Sequence, residues 1–324
     1  MPGKKKILIC EDVTGTGIDR LKGKYPTDFA PDLWKKVPEL EEKIRDYEGL
    51  IVRNQTKVNA ALLSRAKALR VIGRAGAGYD NIDVPAASQA GVVVAYSPEE
   101  NAVSVAEHVF ALLLALARKI PGADRSVKSG GWERKKYHGF ELLGKTLGIL
   151  GLGKIGFRVA LRAKAFGMRI LAHDAYLSAT SLHATESGAT LVSLERLLAE
   201  SDFLSLHLPL TPETQGLLNG GALKKMKPTA FLINTSRGEV LVEEDLAQAL
   251  KQGQLAGAAL DVRPKEPPGE SPLHGLDNVI LTPHTAGLTY EAQEKVVEAV
   301  AEDVDRVLTG QPALRFVNFA LPKK

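Results

Sequence analysis

Short apolar runs punctuate this chain from its first residues, each bounded by polar or glycine-containing segments. Residues 6–10, 49–53, 69–73 and 91–95 have the length and branched apolar content of buried strands. Segments of helical character lie between them, such as 59–68. Continuous rather than alternating apolarity predicts strands covered on both faces, and hence a parallel sheet. A second series starts at Lys145, with strands over 146–150, 169–172, 203–208, 230–234, 256–260 and 279–281. Helices fall between these too, for instance 242–252 with Gly253 as its stop. Between the two series lies a helix that Asn101 caps and Pro121 follows. Residues 103–117 of it are apolar on nearly every face, which predicts burial all round, either between domains or in a subunit interface. The last helix, 290–309, carries Val296, Val300, Val304, Val307 and Leu308 on one face and ends at Gly310 and Pro312. Residues 314–319 read as a strand returning to the first unit.

The pattern predicts an α/β chain of two units, one from residues 1–100 plus 289–324 and one from 101–288. Composition agrees with an ordinary globular protein: 324 residues, 44% hydrophobic and 25% charged. The net charge of +4 is scattered apart from Lys4–Lys6 and Arg134–Lys136, so nucleic acid is not expected as a partner. The lone cysteine, Cys10, allows no intrachain disulfide and sits in an apolar run as a small hydrophobe. The longest strongly apolar run, 109–117, is far short of the roughly 20 residues a membrane span needs, and no secretory signal is visible. A cytoplasmic protein is expected.

The first chemical signal is Gly151-Leu152-Gly153-Lys154-Ile155-Gly156. Such a loop alone is weak evidence, but here a predicted strand precedes it and a helix follows. Gly151 permits the tight turn, Gly153 lets a pyrophosphate approach the backbone, and Gly156 lets helix and strand pack closely. The next strand ends at Asp174, placed to accept from both adenosine ribose hydroxyls and to repel a 2′-phosphate. No arginine stands among Ala175, Tyr176 and Leu177, so NAD is preferred over NADP. His173 is read as a strand-end residue.

Three polar segments stand at later strand ends: 234–238, 261–268 and 282–287. Reduction of a 2-keto acid needs a carboxylate holder and a proton donor. Arg237 offers a bidentate fork for the first, and His284 titrates in the right range for the second. Glu266 is the candidate to hold the imidazole. These segments with the glycine loop resemble the D-isomer-specific 2-hydroxyacid dehydrogenases over nearly the whole chain. That resemblance implies a flavodoxin-like substrate (catalytic) domain made from both chain ends and a doubly wound NAD-binding domain, both Rossmann-like. It implies catalytic roles for Arg237, Glu266 and His284, a homodimer, and a small anionic 2-keto or 2-hydroxy acid as substrate. Asp261 matches a family position near the nicotinamide, and Lys154, Ile155, Thr235 and Gly287 join the expected cofactor contacts.

Substrate choice is expected in the first unit, at Arg53-Asn54 and at Arg74 with Gly76-Ala77-Gly78, whose N–H groups resemble an anion-binding nest. These loops, and Gly131–Tyr137, resemble those of D-3-phosphoglycerate dehydrogenases. Asn54 departs from the serine frequent there, and the chain ends at Lys324 without the regulatory domain many of them carry. The expected substrate pair is therefore 3-phosphoglycerate and 3-phosphohydroxypyruvate, in a short, unregulated form. The alternative is a glyoxylate or hydroxypyruvate reductase. An alternative of another class is an NAD-sensing scaffold like the C-terminal-binding-protein corepressors. Formate dehydrogenases share the fold but carry glutamine where Glu266 stands.

Overall fold

A computed structural model describes residues 5–323. Lys4, part of the first basic cluster, lies outside the described residues. The chain divides into two compact units: one is built from residues up to Asn101 with the segment from Leu288 onward, and the other is Ala102–Gly287.

The first unit holds β1 (Ile7–Ile9), β2 (Thr27–Phe29), β3 (Gly49–Val52), β4 (Val71–Arg74) and β5 (Val93–Tyr96). They form one all-parallel sheet in the order β2-β1-β3-β4-β5, the flavodoxin-like arrangement. One face packs Val296, Val300, Val304 and Val307 of helix Tyr290–Leu308 against Ile7, Ile51 and Val71. Gly73 is required by that packing, since a Cβ there would lie 2.7 Å from both Val300 Cγ1 and Val304 Cγ2. The other face buries Leu8, Cys10, Leu50 and Ile72. Burial pushes the Cys10 thiol up to about 12, as an inert core residue requires. β2 was not foreseen: Thr27-Asp28-Phe29 is a partly exposed edge without an apolar signature. The strand expected over 314–319 is not formed. That segment does run beside β5, but with a single antiparallel bridge, Ala95 to Phe316, and with Leu314 and Phe316 exposed.

The second unit holds β6 (Thr146–Leu150), β7 (Arg169–His173), β8 (Thr190–Leu191), β9 (Phe203–Leu206), β10 (Phe231–Asn234), β11 (Gly257–Leu260) and β12 (Val279–Leu281). These seven parallel strands run β12-β11-β10-β9-β6-β7-β8. The order reverses between β6 and β9, and a doubly wound sheet binds its ligand outside the strand ends at that point. Helix Ala102–Ala117 packs Ala106, Val109, Phe110 and Leu113 onto one face of this sheet. Within the single chain Val103 and Leu114 fall on one exposed stripe with Glu107 and Ala111, the side that a subunit interface would have to cover. Among the described residues no helix is long and apolar enough to cross a membrane.

Candidate active site

β6 ends at Leu150 and the chain turns sharply through Gly151, at φ +94°. A side chain at Gly151 would meet the His207 carbonyl oxygen at 2.7 Å, and one at Gly156 the Gly151 carbonyl at 2.1 Å. Glycine is therefore required at both positions by backbone contact. At Gly153 the space is open, with nothing within 4 Å of a Cβ. Helix Lys154–Ala165 starts there without any side-chain cap. Its first N–H groups and positive dipole end face that opening, the arrangement that receives phosphate.

Asp174 follows β7. Its carboxylate takes the Leu152 N–H at 2.9 Å on one oxygen and the Tyr176 N–H at 2.9 Å on the other. It is thereby pinned beside the glycine loop. His173 Nδ1 lies 2.9 Å from the Val192 carbonyl, a strand-end bond to the neighbouring segment. The open cradle, the uncapped helix and the adjacent carboxylate together fit a dinucleotide with a free ribose diol.

β10, β11 and β12 end in register, with Asn234 beside Leu260 and Leu260 beside Leu281. The three polar segments therefore leave the sheet side by side. After β10, Asn234 closes a turn: its Oδ1 accepts the Ser236 N–H at 3.0 Å, and its Nδ2 donates to the Arg237 carbonyl at 2.8 Å. The Arg237 Nη1 donates to the Ser236 carbonyl at 2.7 Å. Thr235 is buried and its Oγ1 finds no partner among the described residues. After β11 comes Asp261, 1% exposed, whose carboxylate accepts from Thr282 Oγ1 at 2.6 Å and from the N–H groups of Thr285 and Ala286 at 2.8 Å each. Its carbonyl accepts the His284 N–H at 2.8 Å. Gly287 closes this segment as the last residue of the unit.

His284 itself holds a left-handed backbone, φ +55°, which a non-glycine residue adopts only when its surroundings enforce it. Its Nδ1 lies 2.7 Å from Glu266 Oε2. Because the carboxylate only accepts, Nδ1 carries the proton in this bond and Nε2 is left for other chemistry. Burial pushes the Glu266 carboxyl up, but the hydrogen bond and charge of His284 outweigh it, and the net direction is below the ordinary carboxylate value.

Two histidines escaped the sequence reading. His108, on helix Ala102–Ala117, brings Nε2 to 3.3 Å from Thr282 Oγ1 and 3.6 Å from Asp261 Oδ1. His207, just after β9, bonds Ser205 Oγ through Nε2 at 2.9 Å, while its Nδ1 is buried without a partner. Burial holds its pKa down at about 3, so the ring is neutral. The legible signal for His207 was its place: it follows Leu206 as Thr235 follows the register partner Asn234.

In the first unit, Arg53 and Arg74 stand at the ends of neighbouring strands, with Val52 in register with Arg74. Glu11, 3% exposed, pins this edge by accepting from the N–H groups of Arg53, Gln55 and Thr56 at 2.8, 3.0 and 2.9 Å. The Arg53 guanidinium donates to Gln293. Arg53 and Asn54 line a cleft of about 490 Å³ together with Glu11, Asp12, Asp32 and Trp34. Arg74 folds back instead of reaching outward: its Nη1 lies over Gly76, 1.8 Å from where a Cβ would be, and donates to the Ala75 carbonyl at 3.3 Å. The Gly76 N–H is spent on the Arg74 carbonyl at 2.9 Å, so of the expected nest Ala77 and Gly78 are the residues whose N–H groups are not engaged in this way.

A doubly wound sheet with an open glycine cradle at its switch point, and Asp174 pinned beside it, is the architecture of an NAD-binding domain. More narrowly, the chain belongs to the D-isomer-specific 2-hydroxyacid dehydrogenases: the model of that family's NAD-binding domain matches residues 110–286. A D-3-phosphoglycerate dehydrogenase of Synechocystis sp. is 47% identical over 97% of this chain and 56% of its own length. The chain spans little more than half the length of the curated relatives it matches. Among solved structures, the TT0316 protein of Thermus thermophilus superposes with a TM-score of 0.90 at 35% identity, covering 96% of this chain and 99% of that one. A glyoxylate reductase from Paecilomyes thermophila superposes at 0.89 with 31% identity, covering 98% and 99%.

Proposed function

We propose that this chain interconverts a D-2-hydroxy acid and its 2-keto acid with NAD, and that the pair is 3-phosphoglycerate and 3-phosphohydroxypyruvate. The observation that carries the chemistry is the 2.7 Å Glu266–His284 bond, in a unit that also presents Arg237 after β10 and whose glycine loop fits the dinucleotide. Bound NADH supplies the hydride. Arg237 holds the substrate carboxylate through its planar fork. His284 delivers a proton from Nε2 to the carbonyl oxygen and takes it back in the reverse direction. Glu266 fixes the imidazole tautomer and ring orientation through Nδ1. Asp174 selects NAD through the ribose diol, and Thr235, Asp261 and Gly287 line the nicotinamide side. Arg53 and Asn54, with the Ala77 and Gly78 N–H groups, are the residues assigned to the substrate's far anionic group, and Arg74 serves that loop by folding over Gly76.

The substrate assignment leans on relatives named D-3-phosphoglycerate dehydrogenase at 41–47% identity. The second reading, glyoxylate or hydroxypyruvate reduction, is favoured by the fold match to a glyoxylate reductase. We propose a homodimer, which the exposed stripe through Val103 and Leu114, with exposed Ile120, Val127 and Trp132 nearby in sequence, supports, and a cytoplasmic location.

An NADH-oxidation screen over 3-phosphohydroxypyruvate, hydroxypyruvate, glyoxylate and pyruvate tests the assignment. The phosphorylated acid is expected to give the highest kcat/KM. An equal or better value for hydroxypyruvate or glyoxylate would overturn the substrate, and full activity of His284→Ala on all four would overturn the mechanism.

A further inference from the structure

Glu266 lies in a run of exposed residues, Pro264 to Glu270. The last buried residue before this run is Arg263. Its guanidinium meets the Glu243 carboxylate fork to fork, with Nε 2.7 Å from Oε2 and Nη2 2.5 Å from Oε1. Both side chains are nearly closed to solvent, 7% and 12% exposed. Ser271, on the far side of the exposed run, completes the cluster. Its Oγ accepts from Arg263 Nη2 and donates to Glu243 Oε1, each at 2.6 Å. The run is thus tied at both ends to one carboxylate at the start of helix Glu243–Lys251.

The tie reaches the reacting pair through the main chain. The Arg263 N–H donates to Glu266 Oε1 at 3.0 Å, while Glu266 Oε2 takes His284. Gly238, next to Arg237, closes the other side. A Cβ there would sit 2.0 Å from the Arg263 carbonyl carbon and 2.3 Å from the Pro264 nitrogen. Bidentate geometry matters here, because a guanidinium held at two oxygens fixes the direction of its own backbone N–H better than a point charge would.

We propose that Arg263, Glu243 and Ser271 form a positioning clamp that sets the Glu266 carboxylate for His284 through the Arg263 backbone N–H. This rests on the acid/base roles given above to Glu266 and His284. The three clamp residues are assigned no direct role on substrate or cofactor. They act by holding one carboxylate oxygen so that the other meets the imidazole.

The test compares Glu243→Gln, Ser271→Ala, Glu266→Gln and the double variant Glu243→Gln/Glu266→Gln. The readouts are kcat, KM, the pH profile of keto-acid reduction, and NADH affinity by fluorescence titration. Glu243→Gln is expected to lower kcat about 10- to 100-fold, the scale of a misplaced reacting group. KM and NADH affinity should hold within about threefold, and the pH profile of kcat/KM should change in the same direction as that of Glu266→Gln. The double variant should be no slower than Glu266→Gln alone, because the clamp has nothing left to position. Ser271→Ala removes one tie only, keeps the ion pair, and should show the same changes in smaller degree, so the test survives if Glu243→Gln fails to fold. An unaltered pH profile in a destabilised Glu243→Gln, or losses that multiply in the double variant, would reduce the cluster to a structural staple and overturn the clamp. If Glu266→Gln itself retained full activity, the reading of Glu266 would fall and the clamp with it.

Discussion

Asp261→Asn is the substitution whose consequences the structure defines best. The side chain is 1% exposed, and its two oxygens accept three short bonds, from Thr282 Oγ1 at 2.6 Å and from the Thr285 and Ala286 N–H groups at 2.8 Å. These donors bracket His284, whose backbone at φ +55° carries about 1–3 kcal/mol of strain. Asparagine has the same shape but only one accepting oxygen. Its amide must face at least one of the two backbone N–H groups, so one charge-assisted bond is lost, worth about 1.5–3 kcal/mol. A buried donor is then left unsatisfied, at a further cost of about 1–3 kcal/mol. Partial relaxation of the segment overlaps the two terms, and a net loss of about 3 kcal/mol is the central expectation. For a unit of this size that is a fall in Tm of roughly 6–12 °C. The strained backbone at His284 relaxes first, so kcat should fall by about a hundredfold. Urea titration at neutral pH gives the stability, and single-turnover NADH oxidation gives the rate. A stability loss below about 1 kcal/mol together with an unchanged rate would show that these bonds are not what holds His284 in place.

Gly156→Ala forces a Cβ to within 2.1 Å of the Gly151 carbonyl, so the glycine loop must open. NADH affinity measured by fluorescence should weaken at least about tenfold, with about 1–3 kcal/mol of stability lost. Wild-type affinity would refute the steric argument. Asp174→Ala leaves the Leu152 and Tyr176 N–H groups without their carboxylate and removes the charge opposed to a 2′-phosphate. The ratio of kcat/KM for NADH over NADPH should drop at least tenfold, roughly the value of 1.4 kcal/mol, and an unchanged ratio would remove Asp174 from cofactor selection. His207 is held neutral down to about pH 3, whereas in the unfolded chain it gains a proton below its ordinary 6.5. Its folded pKa is depressed, so the unfolded state binds more protons as pH falls from 6.5 toward 3, and stability declines through that window. At about 1.4 kcal/mol per unit, wild type should lose up to about 2 kcal/mol more than His207→Asn between pH 6.5 and 5. Parallel denaturation midpoints for the two proteins would refute the buried neutral ring.

What was legible in the sequence divides along a physical line. The glycine loop, Asp174 and the strand-end polar segments were readable because each answers a local demand: a turn, a close backbone approach, or a group presented at a strand terminus. The two parallel sheets were readable because strands covered on both faces must be apolar throughout. β2 and β8 were not, since a sheet edge of two or three residues needs no apolar signature. Helix Ala102–Ala117 was readable as apolar, but not what covers each of its faces. An apolar stripe at Val103 and Leu114 looks the same in sequence whether the chain's own core or a second surface covers it. The site shows the same division more sharply. Arg237, Glu266 and His284 are recognisable by the chemistry of their own side chains, but what sets them is long-range. Asp261 reaches across 24 positions to the Thr285 N–H, and Glu243 across 20 to Arg263. These partners were chosen by the sheet, which brings β10, β11 and β12 to one edge, and by the helix that starts at Glu243. An acid followed by an arginine twenty residues later has no periodicity to reveal it. It becomes meaningful only when both are found closed to solvent, where an unpaired charge would be too costly to survive and each must therefore be the other's reason for being there.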